Sequence, residues 1–287
     1  MAGATAQTEP GGRRSVTIVQ TGLATFPPPE VLGRDLYDGI RSWRLWTMLG
    51  WNDIRRRYRR SILGPFWMTI SMGLLVATLG ALYARIFQTD IKTYLPYLTL
   101  GFVVWGYIAA SIKECCQAFW AHADLIKQIK VPFSVHVLRV VWANFVVLLH
   151  TIIIIVPIWI YYRQFPNWVA IAALPGLVVI GLNLVWIGIV LAILNGRFRD
   201  VAQIVETALQ IAVFATPIMW PVSALGDHRF VADINPIYHL IELVRAPLLG
   251  EMPSVLSWVV AVGVAAAGLL LATILLRRAN RHIVYWL

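Results

Sequence analysis

Five arginines fall within six positions, Arg55, Arg56, Arg57, Arg59 and Arg60, and the chain turns apolar a few residues later at Phe66 and Trp67. Such a run can meet nucleic-acid phosphate, an anionic membrane face or a phosphorylated head group. A nucleic-acid binder wears its basic residues on a polar domain surface. Here they lie between apolar stretches, which excludes nucleic acid as the partner and favours lipid. A second chemistry is offered inside apolar stretches by Phe102 with Trp105 and by Asn183 with Trp186, each pair three residues apart. Aromatic faces stack on the CH-rich faces of sugars, and an amide can meet hydroxyls. Helix packing is the competing use of any one of these residues.

No enzyme signature stands beside them. The sequence holds no GxxxxGK[ST], HExxH or GxSxG, so it carries no phosphate-binding loop, zinc-protease helix or nucleophile elbow of its own. Any ATP used must be bound by another chain. Asp200 with Glu206 is the acidic cluster that a membrane enzyme acting on lipid-linked sugar would have to use. The vicinal Cys115 and Cys116 are too close for an ordinary disulfide and have no zinc-ligand spacing around them. Free thiols and no metal site are the expectation.

The elements that must position these residues follow from composition. Of 287 residues, 59% are hydrophobic and 13% charged, with 13 tryptophans and a formal charge of +10. A soluble domain carries roughly twice that charged fraction. The expected fold is an all-α polytopic membrane protein. A span needs about 20 apolar residues, and six segments qualify, at about 65–87, 94–112, 140–162, 168–195, 204–221 and 254–276. Residues 1–34, which lack a signal-peptide apolar core, are expected to be a disordered cytoplasmic tail. Residues 35–287 form the six-span unit.

Lys and Arg set the orientation. With the N-terminus inside, cytoplasmic segments hold the arginine run, Lys113, Lys127, Lys130, Arg139, Arg197, Arg199, Arg277, Arg278 and Arg281. The external side holds Arg85, Lys92, Arg163, Arg229 and Arg245. Both termini are therefore expected in the cytoplasm of a plasma (inner) membrane protein. Residues 36–60 are expected as an amphipathic interfacial helix, because Ile40, Trp43, Thr47, Trp51, Ile54 and Tyr58 recur at helical spacing with Arg41, Arg55, Arg56, Arg59 and Arg60 on the other side. Gly64 and Pro65 break it. Between the second and third spans, Asp124 is expected to cap a short helix with Leu125, Ile126 and Ile129 on one face and Lys127 and Lys130 on another. Docking to a soluble partner and lying on head groups both suit it. In NGRFRD, residues 195–200, the arginines are expected to pair with Asp200 and Glu206 at the surface. After the fifth span, Asn235 caps a helix with Pro236 at its first position. His239, Glu242 and Arg245 fall on one face of it, giving either a re-entrant helical hairpin or an external helix with a surface ion pair.

The order of these features, RYRRSILGPFW, LIKQIKVP, RFRD, TPI at Thr216 to Ile218 and the external NP…R, resembles the membrane permease of type 2 ABC exporters, and most closely the branch that exports O-antigen, capsule, teichoic acid or galactan. The resemblance runs from about Leu36 to the C-terminus. It implies a homodimer resting on two copies of a separate ATP-binding cassette subunit, with ATP and Mg on that partner, no cofactor on this chain, and a polyprenyl pyrophosphate-linked glycan as substrate. It places ATPase coupling at Trp51, Ile54, Tyr58, Asp124, Leu125, Lys127 and Lys130. Head-group contact then falls to Arg55, Arg56, Arg59 and Arg60, the pathway to Phe102, Trp105, Asn183 and Trp186, and the external re-entrant loop to Asn235, Pro236, His239, Glu242 and Arg245. A drug or lipid exporter of the same fold, and the membrane enzyme above, are the alternative functions.

Overall fold

The computed structural model describes residues 34–59, Gly64 and 66–286. Residues 1–33 of the expected tail, together with Arg60 and Pro65, fall outside the described residues. Within them every regular element is helical. In chain order these are α1 Asp35–Arg41, α2 Trp43–Tyr58, α3 Phe66–Ile86, α4 Ile91–Cys116, α5 Ala123–Gln128 and α6 Phe133–Thr151. There follow α7 Ile155–Tyr162, α8 Ala173–Arg197, α9 Val201–Ala215, α10 Phe230–Asp233, α11 Pro236–Leu248 and α12 Val255–Trp286. Five stretches are long and apolar enough to cross a membrane: Phe66–Ile86, Ile91–Cys116, Phe133–Tyr162, Trp168–Arg197 and Val255–Ala279. The chain is a polytopic helical membrane protein.

The third of these stretches begins seven residues before the expected one, and its start has a specific cause. Asp35 of α1 accepts from the N–H groups of Phe133 (2.8 Å) and Ser134 (3.0 Å), capping α6 from a distant part of the chain. Burial pushes the Asp35 carboxyl up, and the donors from Ser134 and Phe133 pull it partly back. The expected fifth span, 204–221, differs more. Here α9 has 15 residues and stops at Thr216-Pro217; at 1.5 Å per residue it rises about 22 Å, short of a hydrocarbon core of about 30 Å.

Burial places α4 at the centre, with 72% of its span window covered, and leaves α3 at the periphery with 11%. Around α4 pack α3, α6, α8, α9 and α11, and α12 lies along α8. In α3 the small residues divide: Gly80 and Ala84 are buried, while Ala77 and Ala81 face outward.

The expected interfacial helix is two helices, separated at Ser42. Its apolar stripe also divides, because the face that packs on α6 is offset from it. Ile54 and Gly50 are buried, whereas Ile40, Trp43 and Trp51 are at least half exposed. A Cβ on Gly50 would lie 2.7 Å from the Arg139 carbonyl oxygen, so glycine lets the two helix backbones meet. Gly64 has φ of +55°, the left-handed conformation glycine tolerates, where the interfacial segment gives way to the first span.

Candidate functional site

Between α4 and α9 lies an open cleft of about 300 Å³ lined by Trp105, Ala109, Ala110, Lys113, Glu206, Leu209, Gln210 and Val213. One wall is aromatic and small. The other carries polar groups because Gln203, Glu206, Thr207 and Gln210 recur every three or four residues on α9, at helical spacing. No residue of α9 is buried. At one end of the cleft the Lys113 ammonium donates to Glu206 Oε1, tying α4 to α9. Glu206 is thus engaged by Lys113 of another helix, and the expected pairing within NGRFRD is not what the structure holds. Arg197 instead lies over Phe198 (5.2 Å) and Trp286 (5.8 Å), and Arg199 lies over Trp120 (4.5 Å). Each is a guanidinium on an aromatic face.

The other pathway candidates are not brought into this cleft. Phe102 is buried in the core. Asn183 donates to the carbonyls of Val179 (2.9 Å) and Ala261 (3.1 Å) and accepts from Trp186 Nε1 (3.0 Å), so the amide joins α8 to α12. A Cβ on Gly268 would lie 2.1 Å from the Trp186 indole, which packs flat against α12.

Where α9 stops, the backbone carbonyls freed by the break are met by side chains. Tyr94 donates to the Met219 carbonyl, and Tyr97 to those of Pro217 (3.1 Å) and Trp220 (3.2 Å). Arg245 Nη1 donates to the Pro217 carbonyl at 2.8 Å. Asn235 caps α11 through Ile237 N–H (3.0 Å) and Tyr238 N–H, and its amide reaches Thr216 Oγ1 at 3.0 Å. Irregular backbone at membrane depth is tolerated where it is buried in protein or lines a water-filled cavity, and side chains of α4 and α11 cover this segment. Arg245 has no exposed side-chain surface; it bonds Glu242 through Nε and Nη2 and sits 3.9 Å above the Tyr97 ring. A surface pair is therefore the wrong description of Glu242 and Arg245. Gly101 makes the space: a Cβ there would lie 3.3 Å from Arg245 Nη1. His239 is likewise buried, contacting Ser257 Oγ through Nδ1 (2.9 Å) and the Asp233 carbonyl through Nε2 (2.8 Å).

At the opposite, basic end, Arg139 of α6 forks onto both carboxylate oxygens of Asp53 in α2, at 2.8 and 2.6 Å. Arg57 pairs with Glu114 of α4 at 2.8 Å, and Asn144 donates to the second Glu114 oxygen at 3.0 Å. The arginine run is exposed at Arg55, Arg56, Arg57 and Arg59 alike, but Arg57 is tied to the bundle through Glu114. Of the coupling candidates, Ile54 is buried, Trp51 is exposed, and the Tyr58 hydroxyl meets Met68 Sδ at 2.8 Å. In α5, Asp124 stands inside the first turn and His122 holds the N-cap position without a side-chain bond, so Asp124 does not cap it. Asp124 and Lys127 are exposed, Lys130 is exposed just beyond the helix, and Leu125 is half-buried. Both cysteines are free and buried.

The sequence reading missed Asp53, Glu114 and Arg139 as partners, and Tyr94 and Tyr97 as donors. One signal was available: Glu114 and Arg139 are ionisable groups at the ends of spans, where a partner is expected, and each takes its partner from α2 rather than from the other.

The model of the ABC-2 type transporter family matches residues 44–249, from the start of α2 to the end of α11. The chain belongs to the ABC-2 type transporter family. Within it, the chain is 25% identical over 198 residues to the O-antigen export system permease protein RfbA of Myxococcus xanthus, covering 68% of this chain and 76% of that one. It is 26% identical over 192 residues to the protein of the same name from Klebsiella pneumoniae, covering 66% and 74%. The matched ABC-2 segment contains the cleft, the broken end of α9 and the ion pairs of the basic end.

Proposed function

We propose that this ABC-2 chain is the permease subunit of an exporter of lipid-linked, O-antigen-like polysaccharide, working as a homodimer with two copies of a separate ATP-binding cassette subunit. The observation that carries the reading is the family match together with two relatives named as O-antigen export permeases. ATP and Mg act on the partner, and this chain contributes no catalysis. The chain lies in the inner membrane with both termini in the cytoplasm, and α9 with its broken segment serves as the remaining crossing. Helix α5 and the exposed end of α2 meet the ATPase, and Arg55, Arg56 and Arg59 attract the pyrophosphate head of the polyprenyl carrier among the membrane lipids. The α4–α9 cleft is where a sugar ring meets Trp105, with Gln210 and Glu206 as hydrogen-bonding groups.

Co-purification with an ATP-binding cassette chain, giving an ATPase stimulated by lipid-linked glycan, tests the assembly; a permease that never associates with such a chain contradicts it. Residue variants test the pathway. Gln210→Leu removes an exposed polar group from the cleft, so export should fall roughly three- to tenfold, the worth of about one hydrogen bond, with unchanged protein yield. Trp186→Ala opens a hole against α12, and its loss should be of folded protein, on the order of 3–5 kcal/mol. Normal export by Gln210→Leu would remove the cleft from the pathway.

A further inference from the structure

The last helix continues past the membrane for a reason its own hydropathy does not supply. At 32 residues α12 is about 48 Å long, against a hydrocarbon core of about 30 Å, and its apolar run ends at Leu276, before Arg277 and Arg278. Yet Ile283, beyond that end, is only 1% exposed. With Leu276 and Ala279, at steps of three and four, it forms one stripe that joins the main core. Ile126 of α5 packs on that same core, and α12 and α5 touch directly.

Helix α5 needs such support. It has six residues and an N-cap that gives no side-chain bond, and a helix that short is not stable by itself in water. Its position must come from its neighbours. On one side Trp120, just before it, donates Nε1–H to the Asn195 carbonyl at 3.3 Å. Helix α12 also touches it, and the end of α12 is itself tied down where the Arg197 guanidinium lies over the Trp286 ring.

We infer that the cytoplasmic end of α12 is a seat for α5, with Ile283 as its positioning residue, so that a helix lying beyond the matched family segment belongs to the coupling apparatus. The inference rests on the reading that α5 docks the ATPase. Any push delivered to α5 would then be shared with α12, which bonds α8 through Ala261 and meets α11 through Ser257.

The test uses the full chain with spin labels at Lys127→Cys on α5 and Arg278→Cys on α12, both exposed positions. A reference pair sits at Leu182→Cys on α8 and Leu270→Cys on α12. Ile283→Asp should broaden the α5–α12 distance distribution and leave the reference pair unchanged, and Ile283→Leu should restore the narrow distribution. With a co-expressed ATP-binding cassette chain, Ile283→Asp should also lower the amount bound by about tenfold. An unchanged α5–α12 distribution overturns the inference, and so does equal broadening of both pairs, which would make Ile283 a residue of the whole bundle. Ile129→Asp, on the exposed part of the α5 segment, separates the two ideas: if it leaves the ATPase bound while Ile283→Asp still broadens α5, the docking reading fails and the seat stands.

Discussion

Arg245→Leu is expected to cost about 3–5 kcal/mol of stability, the range for breaking one partner out of a buried ion pair, and with it most of the folded protein. Three losses coincide. Glu242 loses its counter-ion in a site where only 17% of its side chain is exposed, the Pro217 carbonyl loses its charged donor, and the Tyr97 ring loses the cation above it. The stability of a domain is itself only 5–15 kcal/mol, so a loss of this size reaches the level of expression. Thermal unfolding in detergent, with the monodisperse fraction, measures it. Arg245→Lys keeps the charge but not the fork of donors, and should fall between the two. Glu242→Leu combined with Arg245→Leu should recover a large part of the loss, because the stranded carboxylate is gone. If Arg245→Leu unfolds at the wild-type temperature, the buried network does not hold the broken end of α9.

Arg139→Leu is the second large effect, and it acts at the other end of the molecule. Arg139 is 3% exposed in its side chain and Asp53 25%, so the carboxylate keeps some solvent contact and the loss should be nearer 2–3 kcal/mol, as for a charged hydrogen bond whose partner remains. The expected change is regional: α2 should detach from α6, while the network around Arg245 is untouched. Hydrogen exchange of the α2 amides measures that directly, with α11 amides as the reference. A double-mutant cycle with Asp53→Leu should return an interaction energy of about 1–3 kcal/mol. Exchange that rises equally in α2 and α11 would show that Arg139 supports the whole bundle and not the interfacial helix.

Much of this fold could be read from the sequence because apolar length is a direct record of membrane crossing. The cap at Asn235 with Pro236 behind it was equally legible, since its chemistry is local. Hydropathy did not show which helix is central: the windows of α3 and α4 have mean hydropathies of 1.6 and 1.5, yet one is 11% and the other 72% buried. Lipid and protein are alike as apolar surroundings, so the distinction lies in partners, and Tyr94, Tyr97 and Gly101 on α4 mark it only once the Thr216-Pro217 break is in place beside them. The same limit explains the interfacial stripe. Spacing put Trp51 and Ile54 on one face, but Gly50, Asp53 and Arg57 choose the packing face by contacts with α6 and α4 that are far away in sequence. At the candidate site, Trp105 was legible as an aromatic inside a span. Its neighbours Lys113 and Glu206 were not legible as a pair, because they come from helices 93 residues apart; Lys113 entered only as a charge that sets orientation, and Glu206 only beside Asp200.

The most direct test of the whole account is transport itself. The permease and its co-purified ATP-binding cassette chain, reconstituted together in proteoliposomes, would be given a polyprenyl pyrophosphate-linked glycan on the ATP-accessible face, with arrival on the far leaflet followed by a membrane-impermeant lectin. Glycan should arrive in an ATP-dependent manner, more slowly with Gln210→Leu and not at all when the permease is omitted. Glycan that stays on its original leaflet while ATP is hydrolysed would contradict the account.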